Sequence, residues 1–158
     1  MVDLKKSFEI NGFDEVKTYI QSGNVIFASN EKDTNVLERK IEEFLSKTFA
    51  YKSKVMVRSL QQIKKVLAEV PPTWKSRHDL RCYIAFVKAP TSAQEVMKQT
   101  PIKEDVDFLK AGSGVVYMST LLNMLTKSGI SKLASKKIYQ EITIRNYNTS
   151  QKIAELMR

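Results

Sequence analysis

One cysteine, one histidine, one tryptophan, five glycines and four prolines stand in a chain of 158 residues. The lone Cys82 excludes an intrachain disulfide, and with His78 as the single histidine there is no Cys/His zinc site. So little glycine and proline excludes collagen-like and low-complexity readings, and 42% hydrophobic with 27% charged residues excludes broad disorder. Apolar runs such as Val115-Val116-Tyr117-Met118 are far shorter than the roughly 18 residues of a membrane span. Met1 opens no signal-peptide pattern. These absences predict a cytoplasmic protein without a disulfide, a dedicated metal, a cofactor or a membrane partner. No GxxxxGK[ST], HExxH or GxSxG stretch occurs.

What remains is enough for one ordinary domain or two very small ones, burying roughly 68 to 70% of the unfolded surface. Charge is unevenly placed. Residues 1–59 hold ten bases and nine acids, whereas residues 60–158 hold 16 bases and eight acids, within a total of +9. The second part therefore suits an anionic partner, with nucleic acid among the candidates. The plain alternative is a solubilising surface whose lysines touch nothing.

Asp3 suits the cap of a short helix with Leu4 and Phe8 on one face, ended by Asn11-Gly12. Val16-Lys17-Thr18-Tyr19-Ile20-Gln21 and Val25-Ile26-Phe27-Ala28 alternate around a turn and predict a β-hairpin. A helix follows from Asp33 or Thr34, with Leu37, Ile41, Phe44 and Leu45 inward and Glu38, Arg39, Glu42 and Glu43 opposite; Lys54–Arg58 then alternates like a strand. Residues 60–69 form a connecting helix before Pro71-Pro72. Tyr83–Val87 is a strand, Thr91 caps a helix to about Gln99, and strands Asp105–Lys110 and Val115–Ser119 flank Gly112-Ser113-Gly114. Ser131 opens a helix carrying Leu133 and Ile138, Thr143–Asn146 is a final strand, and Asn148 or Thr149 caps a last helix. The order is αββαβ in the first half and βαββαβ in the second. That predicts an α+β protein of two linked ferredoxin-like (α-β plait) subdomains, residues 1–60 and 81–158, joined by a helix and loop at 61–80, with the first lacking its opening strand.

Side chains suited to chemistry are few. His78 between Arg77 and Asp79 reads as an ordinary loop histidine, Cys82 as a packed small hydrophobe, and Trp74 as an aromatic pinning a linker, with base stacking the sharper alternative. Gly112-Ser113-Gly114 lies between strands, so it reads as a hairpin turn and not a phosphate loop. The polar groups that stand out are Gln21, Ser22, Gly23 and Asn24, and Arg145, Asn146, Asn148 and Thr149, together with Lys132. Amides, hydroxyls and a guanidinium suit anion or nucleotide recognition better than proton transfer. Their structural alternative is a hairpin turn and a helix cap.

Thr18-Tyr19-Ile20-Gln21-Ser22-Gly23-Asn24-Val25-Ile26-Phe27 closely resembles the signature of the bacterial family of unknown function DUF1697. Val57-Arg58-Ser59, Lys127–Leu133 and Thr143–Thr149 resemble further stretches of it. The resemblance implies two linked plait subdomains and assigns no activity. It also implies an opening strand and glycine-rich loop that this sequence does not show, so the first sheet is expected to be incomplete and to favour a homo-oligomer. The function expected is non-catalytic binding of an anionic ligand. The alternatives are an enzyme on a phosphorylated or nucleotide-like substrate, using Arg145 and Lys132 as clamps, and an interaction module without a ligand.

Overall fold

The periodicities become helices and strands in a computed structural model that describes residues 2–21 and 23–158. The protein is a mixed α/β chain with two antiparallel sheets. It divides into two units: unit 1 is drawn from the chain up to residue 63 together with 152–158, and unit 2 is 64–151.

In unit 1, α1 (Val2–Ile10) already includes Asp3, whose carbonyl accepts from the Ser7 hydroxyl. It ends where Gly12 takes a φ of +84° and the Phe13 amide returns to the Phe8 carbonyl. β1 (Asp14–Tyr19) and β2 (Asn24–Ala28) form a two-stranded antiparallel sheet, with a bulge between Asp14 and Lys17. Ile20, which the alternation includes in the first strand, has left it at a φ of +50° and is exposed. α2 (Thr34–Phe49) starts on Asp33, whose carboxylate accepts from the Asn35 amide at 2.8 Å. Its inward stripe meets a cluster of phenylalanines. Phe8, Phe13, Phe27 and Phe44 pack with ring centroids 4.8 to 5.9 Å apart, mostly tilted or edge-on as the ring quadrupole favours.

Two expectations fail together here. Lys54–Arg58 is not a strand, and Glu38 is not on a solvated face but buried. Both follow from one arrangement along α2. The amides of Ser53, Val55 and Val57 donate to Ser46 Oγ, Glu42 Oε1 and Glu38 Oε1 at 3.0, 2.9 and 2.9 Å. Four helical residues rise about 6 Å, and two extended residues advance about 6.6 Å. The two repeats nearly match, so helix side chains take the alternate amides that a sheet would otherwise pair. Val55 and Val57 still pack against the phenylalanine cluster.

α3 (Leu60–Ala68) begins with a reciprocal cap: the Ser59 amide donates to Gln62 Oε1, and the Gln62 amide donates to Ser59 Oγ. In unit 2, the short α4 (Thr73–Ser76) carries Trp74. The second sheet has β3 (Leu80–Val87), β4 (Asp107–Gly112), β5 (Val115–Leu121) and β6 (Ile142–Asn146) in the order β4-β5-β3-β6, all neighbours antiparallel. One face carries Ala85, Val87, Val116, Met118 and Ile142 against α5 (Ala93–Gln99) and Leu133. The cap of α5 is Ser92 in a capping box with Glu95, one residue beyond the expected Thr91. On the other face Tyr117 donates to the Val66 carbonyl at 2.6 Å and meets Trp74 edge-on at 5.7 Å. Trp74 is buried and also touches Tyr147, so it pins its loop as the plain reading expected.

The continuous helix expected from Ser131 does not form. Three 3-10 turns occupy Leu122–Lys127, Ile130–Ser135 and Lys137–Glu141, broken at Ser128 and Lys136 by extended backbone. Ile130 and Leu133 turn inward three residues apart, the 3-10 repeat. Ile138 follows Leu133 by five, a spacing no single α-helical stripe provides. α6 (Tyr147–Leu156) completes the chain, capped by Asn146 and not by Asn148 or Thr149: Asn146 Oδ1 accepts from the Asn148 amide at 2.9 Å. Among the described residues no helix is long and apolar enough to cross a membrane.

Candidate functional site

The candidate site in unit 2 is built on Asp107, the first residue of β4 and only 5% exposed. Its Oδ1 accepts from Thr120 Oγ1 at 2.8 Å and Ser128 Oγ at 2.6 Å. Its Oδ2 accepts from the amides of Gly129 at 2.7 Å and Lys103 at 2.8 Å. Burial by itself would raise this carboxyl, but the hydrogen bonds outweigh it and hold Asp107 below its ordinary value. Gly129 must be glycine for a steric reason: a Cβ there would lie 2.8 to 2.9 Å from the backbone of Ile102. The carboxylate thus fixes the point from which the second 3-10 turn departs.

Beyond that anchor the inward positions are Ile130, Leu133 and Ile138, and the charged outward ones are all basic. Lys127, Lys132, Lys136 and Lys137 are all exposed, as is Tyr139 at 42%. No aspartate or glutamate occurs from Phe108 to Gln140. The nearby Asp107 is already committed to its four donors, so the outward charge of this segment is positive.

Arg145, on edge strand β6, lies opposite Ile84 in the ladder and is half-buried. One of its guanidinium nitrogens donates to the Ile144 carbonyl at 3.0 Å. Burial lowers its pKa from the ordinary value, opposed by the Tyr139 phenol, which lies within electrostatic reach. Lys132 and Arg145 belong to the same unit, with the third 3-10 turn between their segments. Asn146 is used in capping α6, Asn148 is exposed, and Thr149 is half-buried.

Gln21, Gly23 and Asn24 lie in unit 1, at the β1–β2 turn. Gln21 is exposed, Gly23 takes the φ of +78° that the turn requires, and buried Asn24 donates its amide to the Tyr19 carbonyl at 3.1 Å. Ser22 lies outside the described residues. The structure gives this turn and the basic segment to different units.

Asp107 and Tyr139 escaped the sequence reading. The acid-free interval around the lysines was the available signal for Tyr139; nothing local in sequence ties Asp107 to Ser128 and Gly129. Cys82 and His78 gain no partner that suggests catalysis. Burial pushes the Cys82 thiol up to about 11, away from the thiolate a nucleophile needs. His78 is exposed beside the Arg77–Asp79 ion pair. No group of three or more His, Cys, Asp or Glu suited to a metal ion occurs among the described residues.

The model of the protein family of unknown function DUF1697 matches residues 1–117. No curated protein matches the chain. A solved structure described as the conserved bacterial protein SP0830 from Streptococcus pneumoniae is similar over 100% of this chain and 88% of that one, with a TM-score of 0.85 and 24% sequence identity. At that identity the likeness speaks to the fold alone.

Proposed function

The chain belongs to the DUF1697 family, and from that premise we propose that it is a non-catalytic binding protein for an anionic ligand, namely nucleic acid, held by the lysine-bearing 3-10 segment of unit 2. The observation that carries the reading is the run of 3-10 turns from Leu122 to Glu141, which has four lysines against one acid, Glu141 at its end, and is anchored at Ser128 and Gly129 by a buried carboxylate. A fixed backbone makes the outward lysines a defined positive surface, and phosphates displace condensed counterions when they meet one. Lys132 supplies charge at the centre of this surface and Arg145 a guanidinium at its edge. Gln21 to Asn24, in the other unit, and Asn148 and Thr149 are secondary positions in the proposal.

We read unit 2 as a ferredoxin-like plait. The order β4-β5-β3-β6, with α5 on the first crossover and the 3-10 turns on the second, supports that reading. Unit 1 is read as a plait without its opening strand. Its two-stranded sheet and the carboxylate-bound segment at 53–57 support this.

The test is a salt titration of binding to a fluorescent mixed-sequence oligonucleotide by anisotropy. The expected result is binding at about 20 mM salt that weakens steeply toward 200 mM, with a log–log slope reduced by roughly one for each phosphate-contacting lysine removed. Lys132→Ala with Lys136→Ala and Lys137→Ala should flatten the slope. Absence of binding at the lowest salt refutes the proposal.

A further inference from the structure

Building on the proposed nucleic-acid reading, we infer that the ligand is single-stranded and that Tyr139 is the platform on which one of its bases stacks.

The aromatic side chains of unit 2 differ in what they do. Trp74, Tyr117 and Tyr147 pack on one another at 5.2 to 5.7 Å and hold the α4 loop to the sheet. Tyr139 is more exposed than these three. Its neighbour Ile138 packs into the core, which leaves Tyr139 42% exposed within the lysine-bearing segment. Its amide donates to the Lys136 carbonyl at 3.1 Å, the i to i+3 closure of a 3-10 turn. Lys136, extended, is the cap from which this turn starts, and both it and Lys137 are exposed. Arg145 stands within electrostatic reach of the phenol. An exposed aromatic ring in a segment whose Lys136 and Lys137 are also exposed offers a base a stacking face and its adjacent phosphates ammonium groups.

Backbone geometry argues for a single strand over a duplex. Reading a duplex in its major groove takes an α-helix or a two-stranded ribbon that fits a groove about 12 Å wide. The lysines here ride on two short 3-10 turns separated by extended backbone at Lys136, with φ −87° and ψ 146°. That path is bent and irregular, with no rod to insert. An unpaired strand can follow it, and stacking on an aromatic accepts any base.

The experiment measures anisotropy of a labelled 12-nucleotide oligothymidine, the same backbone with abasic sites, and a mixed-sequence duplex of equal length, at 20 mM salt. Wild type is expected to bind oligothymidine at least 10-fold more tightly than the duplex. Tyr139→Ala is expected to weaken oligothymidine binding by about 5- to 150-fold while leaving the salt slope and the duplex affinity unchanged. Tyr139→Phe, which keeps the ring and removes the hydroxyl, should stay within about twofold of wild type, and the abasic strand should be insensitive to either change. Tyr139 is exposed, and the fluorescence of Trp74 verifies that each variant keeps its fold. Equal affinity for single strand and duplex, or a Tyr139→Ala variant indistinguishable from wild type on oligothymidine, overturns this inference while salt-sensitive binding leaves the nucleic-acid reading standing. No binding of any oligonucleotide overturns both.

Discussion

Removing the Asp107 carboxylate is expected to cost unit 2 far more than an average substitution. Its four donors are not equivalent. Thr120 Oγ1 and Ser128 Oγ already lie 3.4 Å apart and can bond each other when the carboxylate is gone. The amides of Lys103 and Gly129 have less freedom to re-aim, because the Lys103 carbonyl is held by the amides of Val106 and Asp107 and Gly129 lies against the Ile102 backbone. Two stranded amides at about 1 to 3 kcal/mol each put Asp107→Ala near 4 kcal/mol of destabilisation. Thr120→Ala, which loses the hydroxyl bond to the carboxylate, should cost about 1 kcal/mol, and Ser128→Ala, which also strands the Ile130 amide, about 2 kcal/mol. Trp74 is the single tryptophan and is buried in unit 2, so its emission follows the unfolding of that unit. With a urea slope of about 2 kcal/mol/M, the midpoint should fall by about 2 M. The pH dependence has a fixed sign. A carboxyl held below its unfolded value stabilises fully above that value, about 3.9, and loses its contribution as pH falls through the lower folded value. The gap between wild type and Asp107→Asn should therefore be widest above pH 5 and close in acid. A midpoint shift below about 0.5 M for Asp107→Ala, or a gap that widens in acid, refutes the reasoning.

Gly129→Ala should destabilise unit 2 by about 1 to 3 kcal/mol in the same urea assay, since the new methyl meets the Ile102 backbone, which cannot yield as a flexible side chain could; a neutral outcome contradicts the close approach. Tyr117→Phe removes the hydrogen bond to the Val66 carbonyl and should cost about 1 kcal/mol. Burial, aided by the Glu69 charge, pushes that phenol up to about 12, so an ultraviolet titration of the native protein should lose no tyrosinate signal below pH 11 when Tyr117 is replaced. The Cys82 thiol, raised by burial to about 11, should react with a disulfide reagent at pH 8 at least about tenfold more slowly in native protein than in urea. Equal rates count against its placement.

The elements legible from sequence were those whose period repeats within one segment. The α2 stripe of Leu37, Ile41, Phe44 and Leu45 and the turn at Gly112 to Gly114 are of this kind. The stretch at 53–58 misled because alternation reports only which side chains face the core. Val55 and Val57 do face it, but the same alternation leaves their amides free to pair with a strand or with α2 carboxylates. The residues at 131–138 misled because inward positions spaced by three and then five fall between the helical periods. Caps came out within a few residues, as for Ser92 in place of Thr91, since neighbouring hydroxyls are interchangeable to a propensity argument.

The candidate site was legible to the extent that charge is local and illegible where it depends on long-range bonds. Lys132 and Arg145 stood out as cations near polar motifs, and both fall in one unit, on segments separated by the third 3-10 turn. Nothing in the sequence joined Asp107 to Ser128 and Gly129, 21 and 22 residues away, because such a bond follows from the β4–β5 hairpin returning the chain beside its own start. On the proposed function, removing that bond is expected to weaken binding more than removing any single lysine. Exposed lysines on a mobile loop make a diffuse positive cloud, whereas lysines on a backbone tethered by a buried carboxylate keep fixed spacings and can be read by a partner of fixed phosphate repeat. Binding should consequently fail in Asp107→Ala under conditions where unit 2 is still folded, although Asp107 is buried and bears the same charge sign as the ligand. A surface that worked by net charge alone would respond in the opposite direction, binding more tightly when that negative charge is removed.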